Sequence, residues 1–401
     1  MSSVSALVHD GASAPEPSPH AGGHESPRVA SPRAVFLDLA RAVAILMMIQ
    51  GHTIDAVLAT GARVGAPFGV WTFLRGLTSC TFLMLSGVVF TIATLRHWPL
   101  HLQPGMPVVR RLRRFGFFLV LGYALHFPVA RFAHLSSASD ERWRSFLVVD
   151  VLQLVAITLI GLQALVFIAR TPRRYELAAG AACAAVVVLT PAMWAIDWSG
   201  TLPLAVASYV SPANGSQFPL FPWSGYPLFG VVIGMAYLRA GHTELGRFAT
   251  LQLLGVGVGM VALAFLFARL PLQPFGPTEF WTTSPNQFLL RAGLVLVLFG
   301  VAAHASRFVS HKPRLIHSLA QESLTIYATH LCLVYGSVWN NGLRQLVGPT
   351  LPWQAAAGYA ALMWLAMAVY ALAWHWTKRT HPRAAGTLRW ALAGALAYQL
   401  G

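Results

Sequence analysis

Past a polar opening stretch, apolar residues gather in runs of roughly 20, the length an α-helix needs to cross a bilayer core at 1.5 Å per residue. Short connections between the runs hold most of the charge. The runs predict helices near 34–58, 71–95, 115–135, 145–169, 176–196, 218–239, 249–270, 287–306, 319–339 and 354–376. This is the pattern of an all-α polytopic membrane protein with about ten transmembrane helices. Residues 1–32 are rich in Ser, Pro, Ala, Gly and His without an apolar run, and predict a disordered tail ahead of a membrane domain at 33–376. A cleavable leader is not expected, because the first apolar run starts near Ala34 and carries Asp38 and Arg41 inside it. In the tail 377–401, the apolar stretch from Leu388 to Leu400 is too short to span, and predicts an interfacial helix or the remnant of an eleventh span.

Composition supports the same class. Of 401 residues, 56% are hydrophobic and 10% charged, against the roughly 25% charged content of a soluble domain. The net charge of +15 forms neither a continuous basic patch nor a reading helix, which excludes nucleic acid as a partner. Instead the basic residues alternate in density from one connection to the next. Arg28 and Arg33, Arg96 with Arg110–Arg114, Arg170–Arg174, Arg239 and Arg247, Arg307–Arg314, and Lys378–Arg389 fall on one side. Only Arg63, Arg142, Arg144 and Arg344 fall on the other. By the positive-inside rule the rich side is cytoplasmic, and so are both termini. Cys80, Cys183 and Cys332 lie in separate apolar runs without metal-ligand spacing, so they read as small buried hydrophobes and no metal is expected.

An ionisable side chain in hydrocarbon costs roughly 2.5–3.5 kcal/mol on insertion scales, so those present tend to face protein or water. The candidates are Asp38, Arg41, His52, Arg75, His126, Arg131, Asp150, Arg291, Glu322 and His330. Arg41 and His52 are eleven residues apart, three helical turns, and share one face of the first span. A cation able to hold phosphate and an imidazole able to move a proton would line one side of a channel. The alternative is structural, with Arg41 paired to Asp38 and His52 closing the helix. In the ninth span Ser323, Tyr327 and His330 form a polar stripe and Glu322 leads a second one, either site residues or glue between helices. The sixth span opens with Pro219, Pro222 and Pro227 around Trp223 and Tyr226, which predicts a broken helix start lining the cavity from the outer side, where the Trp and Tyr can also serve as an interfacial anchor.

Several segments resemble bacterial transmembrane acyltransferases. Arg33 to Arg41, running on to Gly51-His52, is similar to their first span, where an Arg is followed about ten residues later by a His. Phe82 to Gly87 resembles their second-span motif, Arg110 to Gly122 the basic start of the third span, and Ser323 to His330 a late Ser-Leu-x-x-Tyr-x-x-His motif. Phe218 to Gly234 is similar to the branch related to heparan-α-glucosaminide N-acetyltransferase. Where members of that branch carry an acidic residue before the first-span His, this chain has Gly51. Where they carry a further His ahead of the second-span motif, it has Thr78-Ser79-Cys80.

The resemblance implies transfer of an acyl group, commonly acetyl from acetyl-CoA, to a hydroxyl or amine of a sugar or other extracytoplasmic acceptor, in the bacterial cytoplasmic membrane. Under it His52, Arg41 and His330 are the catalytic candidates, and Arg41, Arg110, Arg111, Arg113 and Arg114 hold the donor. Asp38, Arg75, His126, Asp150, Trp223, Tyr226, Arg291, Glu322 and Tyr327 line the substrate cavity. The partners are membrane lipid and a small-molecule or glycan acceptor, with a homodimer left open. A proton-coupled secondary transporter is the competing class, since buried His, Asp and Arg also build proton relays; no inverted repeat of the transporter kind is visible in the chain. The topology is testable directly. Reporter fusions after Arg174 and after Lys378 should read cytoplasmic and fusions near Asn214 and Asn341 should read outside, and a reversed signal at any one removes this topology.

Overall fold

The computed structural model of the protein describes residues 35–241, 244–269, 278–279, 282–309 and 314–400; the predicted tail 1–32 lies outside them. The helices in chain order are α1 (Val35–Val57), α2 (Gly65–Leu95), α3 (Met106–Leu125), α4 (Asp140–Leu147), α5 (Val151–Ala169) and α6 (Pro172–Ala195). There follow α7 (Leu204–Val210), α8 (Leu220–Trp223), α9 (Gly225–Ala240), α10 (Leu245–Arg247), α11 (Val256–Arg269) and α12 (Pro285–Ala305). The chain continues through α13 (Arg314–Gln321), α14 (Ser323–Tyr335), α15 (Leu343–Leu346), α16 (Trp353–Thr380) and α17 (Pro382–Leu400). A wider π turn, Phe248–Gly255, joins α10 to α11. Among the described residues, seven helical stretches are long and apolar enough to cross a membrane. They are α1, α2, α5, α6, the α10–α11 run, α12 and α16. The fold is therefore all-α and polytopic. The remaining predicted spans correspond to α3, α9 and α14, which are shorter or carry arginines.

Local sequence sets the boundaries. Thr171 accepts the Arg174 N–H ahead of α6 with Pro172 in the first turn, and Ser284 does the same for Asn286 ahead of α12 with Pro285 following. Three windows move. The third helix starts at Met106 and ends at Leu125, so Arg110–Arg114 lie in its first turns while His126 is only its cap and Arg131 lies beyond it, exposed. The fourth predicted window splits into α4 and α5, leaving Asp150 as the cap of α5. The ninth breaks at Glu322 and ends at Tyr335, where Gly336 adopts a φ of +76°. The sixth opens as its prolines predict, with Phe221 out of helical geometry inside α8, just ahead of α9.

Without water between helices, close approach rests on small residues. A Cβ on Gly87 of α2 would stand 1.9 Å from the Pro227 carbonyl oxygen, and one on Gly230 of α9 2.3 Å from that of Met84. Two of the motifs that carry the family resemblance are thus the contact between α2 and α9. In the other half, a Cβ on Gly257 would stand 2.7 Å from the Gly293 oxygen, bringing α11 onto α12.

Gly230→Ala should lower stability by about 1–3 kcal/mol, the usual cost of overpacking. Gly161→Ala, where a Cβ meets nothing within 4 Å, should be neutral or gain about 0.5–1 kcal/mol from reduced backbone entropy. Thermal melts of the two variants in detergent that coincide would contradict this packing.

Candidate active site

The buried polar centre is built from the end of α1, the middle of α2 and the end of α14. His52 and Asp55 are three residues apart in α1 and so lie on one helix face. Asp55 receives Arg75 of α2 at 2.9 Å and Arg63 at 3.4 Å. Arg75 reaches it by crossing Gly51, where a Cβ would stand 2.7 Å from the Arg75 Cγ, and its guanidinium lies over the Trp71 ring at 5.1 Å. Gly51 is therefore the space through which Arg75 passes.

Tyr335, the last residue of α14, donates its hydroxyl to Asp55 Oδ2 at 3.2 Å, and the same oxygen stands 3.0 Å from His52 Nδ1. A carboxylate bound by two arginines only accepts, so the tyrosine proton points to Asp55 and His52 Nδ1–H donates to the tyrosine oxygen. That leaves His52 Nε2 with a lone pair. One imidazole away, His330 donates Nδ1–H to the Ile326 carbonyl at 2.8 Å, so its Nε2 also carries a lone pair, and this atom is buried without a partner. The two rings are 5.4 Å apart between centroids. His330 is fully buried and His52 partly open. Two neutral imidazoles facing one another, each fixed through Nδ1, are a site for moving a proton.

Tyr327 continues the site along α14. Its ring lies 5.9 Å from that of His330, and its hydroxyl donates to Asp150 Oδ2 at 3.2 Å while Asp150 Oδ1 accepts the Val151 N–H at 2.6 Å. The predicted stripe of Tyr327 and His330 therefore belongs to the centre. Trp223 and Tyr226 stack at 5.9 Å, with Tyr226 against Phe288 of α12 at 4.7 Å. Arg291 of α12 lies against α2 at Gly76. His126 bonds back to the Gly122 carbonyl of its own helix at 3.1 Å.

At the opposite end of α1, Arg41 donates to the Ala320 carbonyl at 3.4 Å. Next to it Glu322, expected in the substrate cavity, is buried in an ion pair with Lys378 of α16 at 2.5 Å and a contact with His375 at 3.2 Å. Asp38 is buried on α1 at that end. Of the basic run in α3, Arg110, Arg113 and Arg114 are exposed, but Arg111 turns inward. It donates to Thr94 Oγ1 at 3.0 Å and Gln163 Oε1 at 2.9 Å, meets His101 Nε2 at 3.2 Å and lies over the Phe90 ring at 4.7 Å. Burial, then the charges of Arg111 and His97, hold the His101 imidazole down at about 4. Arg111 thus ties α2, α3 and α5 together.

Asp55, Tyr335 and Lys378 are absent from the sequence candidates. Asp55 carried a usable signal, its i, i+3 spacing from His52, whereas Tyr335 and Lys378 meet their partners only through the packing of α14 and α16. The described residues hold no cluster of three or more His, Cys, Asp or Glu side chains able to bind a metal ion.

No protein of curated function matches the chain. The family described as heparan-alpha-glucosaminide N-acetyltransferase, catalytic, matches residues 33–265. The match contains Arg41, His52, Asp55 and Arg75 together with the Gly87 and Gly230 contact of α2 and α9, and stops short of α14. Covering more than half of the 401 residues, it shows that the chain belongs to the heparan-alpha-glucosaminide N-acetyltransferase catalytic family.

Proposed function

We propose that the protein transfers an acyl group, acetyl from acetyl-CoA, to a hydroxyl or amine of a sugar or other extracytoplasmic acceptor, at the His52–His330 pair inside the membrane. The observation that carries this reading is the pair itself: two imidazoles fixed through Nδ1, one with a buried and unpartnered Nε2. Membership of an acetyltransferase family supports it, and nothing found supports a transporter.

In this reading both termini are cytoplasmic and the donor approaches from the Arg41 end. Arg41 and the exposed Arg110, Arg113 and Arg114 meet its phosphates through charge-assisted hydrogen bonds. The thioester arm follows α1 toward His52, about 16 Å away at 1.5 Å per residue. His52, the more open of the two rings, takes the proton from the acceptor hydroxyl or amine as it attacks the thioester carbonyl. The imidazolium that results is stabilised through Tyr335 by the Asp55 carboxylate, and the proton it took on Nε2 then goes to the departing thiolate, handed on through the free Nε2 of His330.

His52→Ala should slow transfer from labelled acetyl-CoA by about 10²- to 10⁴-fold, the usual worth of general acid–base catalysis, with donor binding near normal. Arg41→Ala should weaken donor binding by roughly ten- to a hundredfold, since one charge-assisted contact to phosphate is worth about 1.5–3 kcal/mol. Unchanged acetyl-CoA affinity in Arg41→Ala would make Arg41 only a partner of the α13 backbone. More than about a tenth of wild-type activity in His52→Ala would remove His52 from the chemistry.

A further inference from the structure

Among the described residues His330 has no hydrogen bond outside its own helix. Its Nδ1 is spent on the Ile326 carbonyl one turn back, and its Nε2 has no partner. Where this imidazole stands relative to His52 is therefore decided by where α14 stands. Apolar packing does little to decide that. Of the 13 residues of α14, Ile326, His330 and Val334 are the buried ones, and lipid tails, as apolar as the side chains that face them, do not fix the height of a helix.

Polar tethers hold the helix instead, each to a different part of the bundle. At one end Tyr335 donates to Asp55 of α1, in the middle Tyr327 donates to Asp150 ahead of α5, and at the other end Glu322 pairs with Lys378 of α16. In the last of these both partners are charged. The Glu322 carboxylate is 1% exposed, lies 2.5 Å from Lys378 Nζ and meets His375 Nδ1 at 3.2 Å, with the His317 ring edge-on to His375 at 5.3 Å. Glu322 occupies the N-cap of α14, yet its side chain caps nothing there, being committed to α16. The ninth span breaks at this residue, so α13, which Arg41 ties to α1 through the Ala320 carbonyl, does not continue straight into α14.

A helix pinned at Tyr335 can swing about that end. His330 lies five residues from the pivot and Glu322 thirteen, about 7.5 and 20 Å at 1.5 Å per residue, so a displacement of about 2.5 Å at Glu322 moves His330 by about 1 Å. A misplacement of about 1 Å is enough to cost about a hundredfold where reacting groups must be aligned.

We propose that Glu322 and Lys378 are positioning residues, whose ion pair sets the pose of α14 and thereby holds His330 against His52. This rests on the acyl-transfer reading, so the test pairs an activity readout with one that needs no activity. Cys332, two residues after His330, is partly open while Cys80 and Cys183 are buried. Its rate of alkylation by N-ethylmaleimide, followed by peptide mass spectrometry, reports the pose of α14. Glu322→Gln/Lys378→Met removes both charges together and leaves no buried ion unpaired. Lys378→Arg keeps the pair. In the double variant kcat for acetyl transfer from labelled acetyl-CoA to glucosamine should fall by about tenfold or more, with KM for acetyl-CoA within about twofold of wild type, and the Cys332 rate should change by about threefold or more. Lys378→Arg should stay near wild type in all three measurements. If the double variant does not fold, Lys378→Gln, at the more open partner with 29% exposure, carries the same expectations.

The proposal falls if the variant without the pair keeps its kcat, or if its Cys332 rate does not change, since His330 would then hold its place unaided. A raised KM for acetyl-CoA with kcat unchanged would assign the pair to the donor path and overturns the proposal as well. A Cys332 rate that changes without the pair and returns in Lys378→Arg, in protein whose wild type transfers no acetyl group, would leave the pair holding α14 and remove the acyl-transfer reading instead.

Discussion

Asp55 holds the charge around which the polar centre is arranged. A carboxylate among apolar helices is tolerable only with partners, and here two arginines supply them, one from α2 and one from the turn after α1. The consequences spread outward. Arg75 can reach Asp55 only because Gly51 leaves its path open. With its acceptor role fixed by the arginines, Asp55 orients the Tyr335 hydroxyl, and that hydroxyl fixes the proton on His52 Nδ1. The bond from Tyr335 pins the end of α14 to α1, which brings His330 to face His52. Removing the carboxylate would leave two cations and a tyrosine to find other partners in a medium that offers few.

The contacts that bring these helices together are of a different kind. Glycines at 87, 230 and 234 let the backbones of α2 and α9 touch, and 257 and 293 do the same for α11 and α12. Such contacts depend on shape and tolerate no added carbon, so they leave a fixed imprint on sequence. That is why the family resemblance is carried as much by glycines as by chemistry, and why the match over 33–265 can establish the family while omitting α14 and His330.

The spans were legible because a helix in hydrocarbon must be apolar over a set length, and each of the ten windows overlaps its helix closely or in part. The third window was displaced. An apolar window rejects the arginines of residues 110–114, yet a helix can begin in the interface and carry them in its first turns, as α3 does. In the site, His52 was singled out by its spacing from Arg41 in α1, and Tyr327 and His330 by their own spacing in α14. Glu322 was expected in the cavity, and its ion pair with Lys378 joins residues too far apart in sequence for spacing to reveal. Tyr335 is likewise invisible until α14 packs on α1. Arg111 looked like its neighbours in the basic run, and only the packing of α2, α3 and α5 shows that it faces inward.

The central claim is that His52 and His330 act as one unit on the transferred proton. A double-mutant cycle in the rate of acetyl transfer, built from His52→Ala, His330→Ala and both together, measures this directly. The account predicts strong non-additivity, with the double variant no slower than the slower single variant within about threefold. Losses that multiply through to the double variant would mean that the two imidazoles serve separate purposes, and would contradict a shared site.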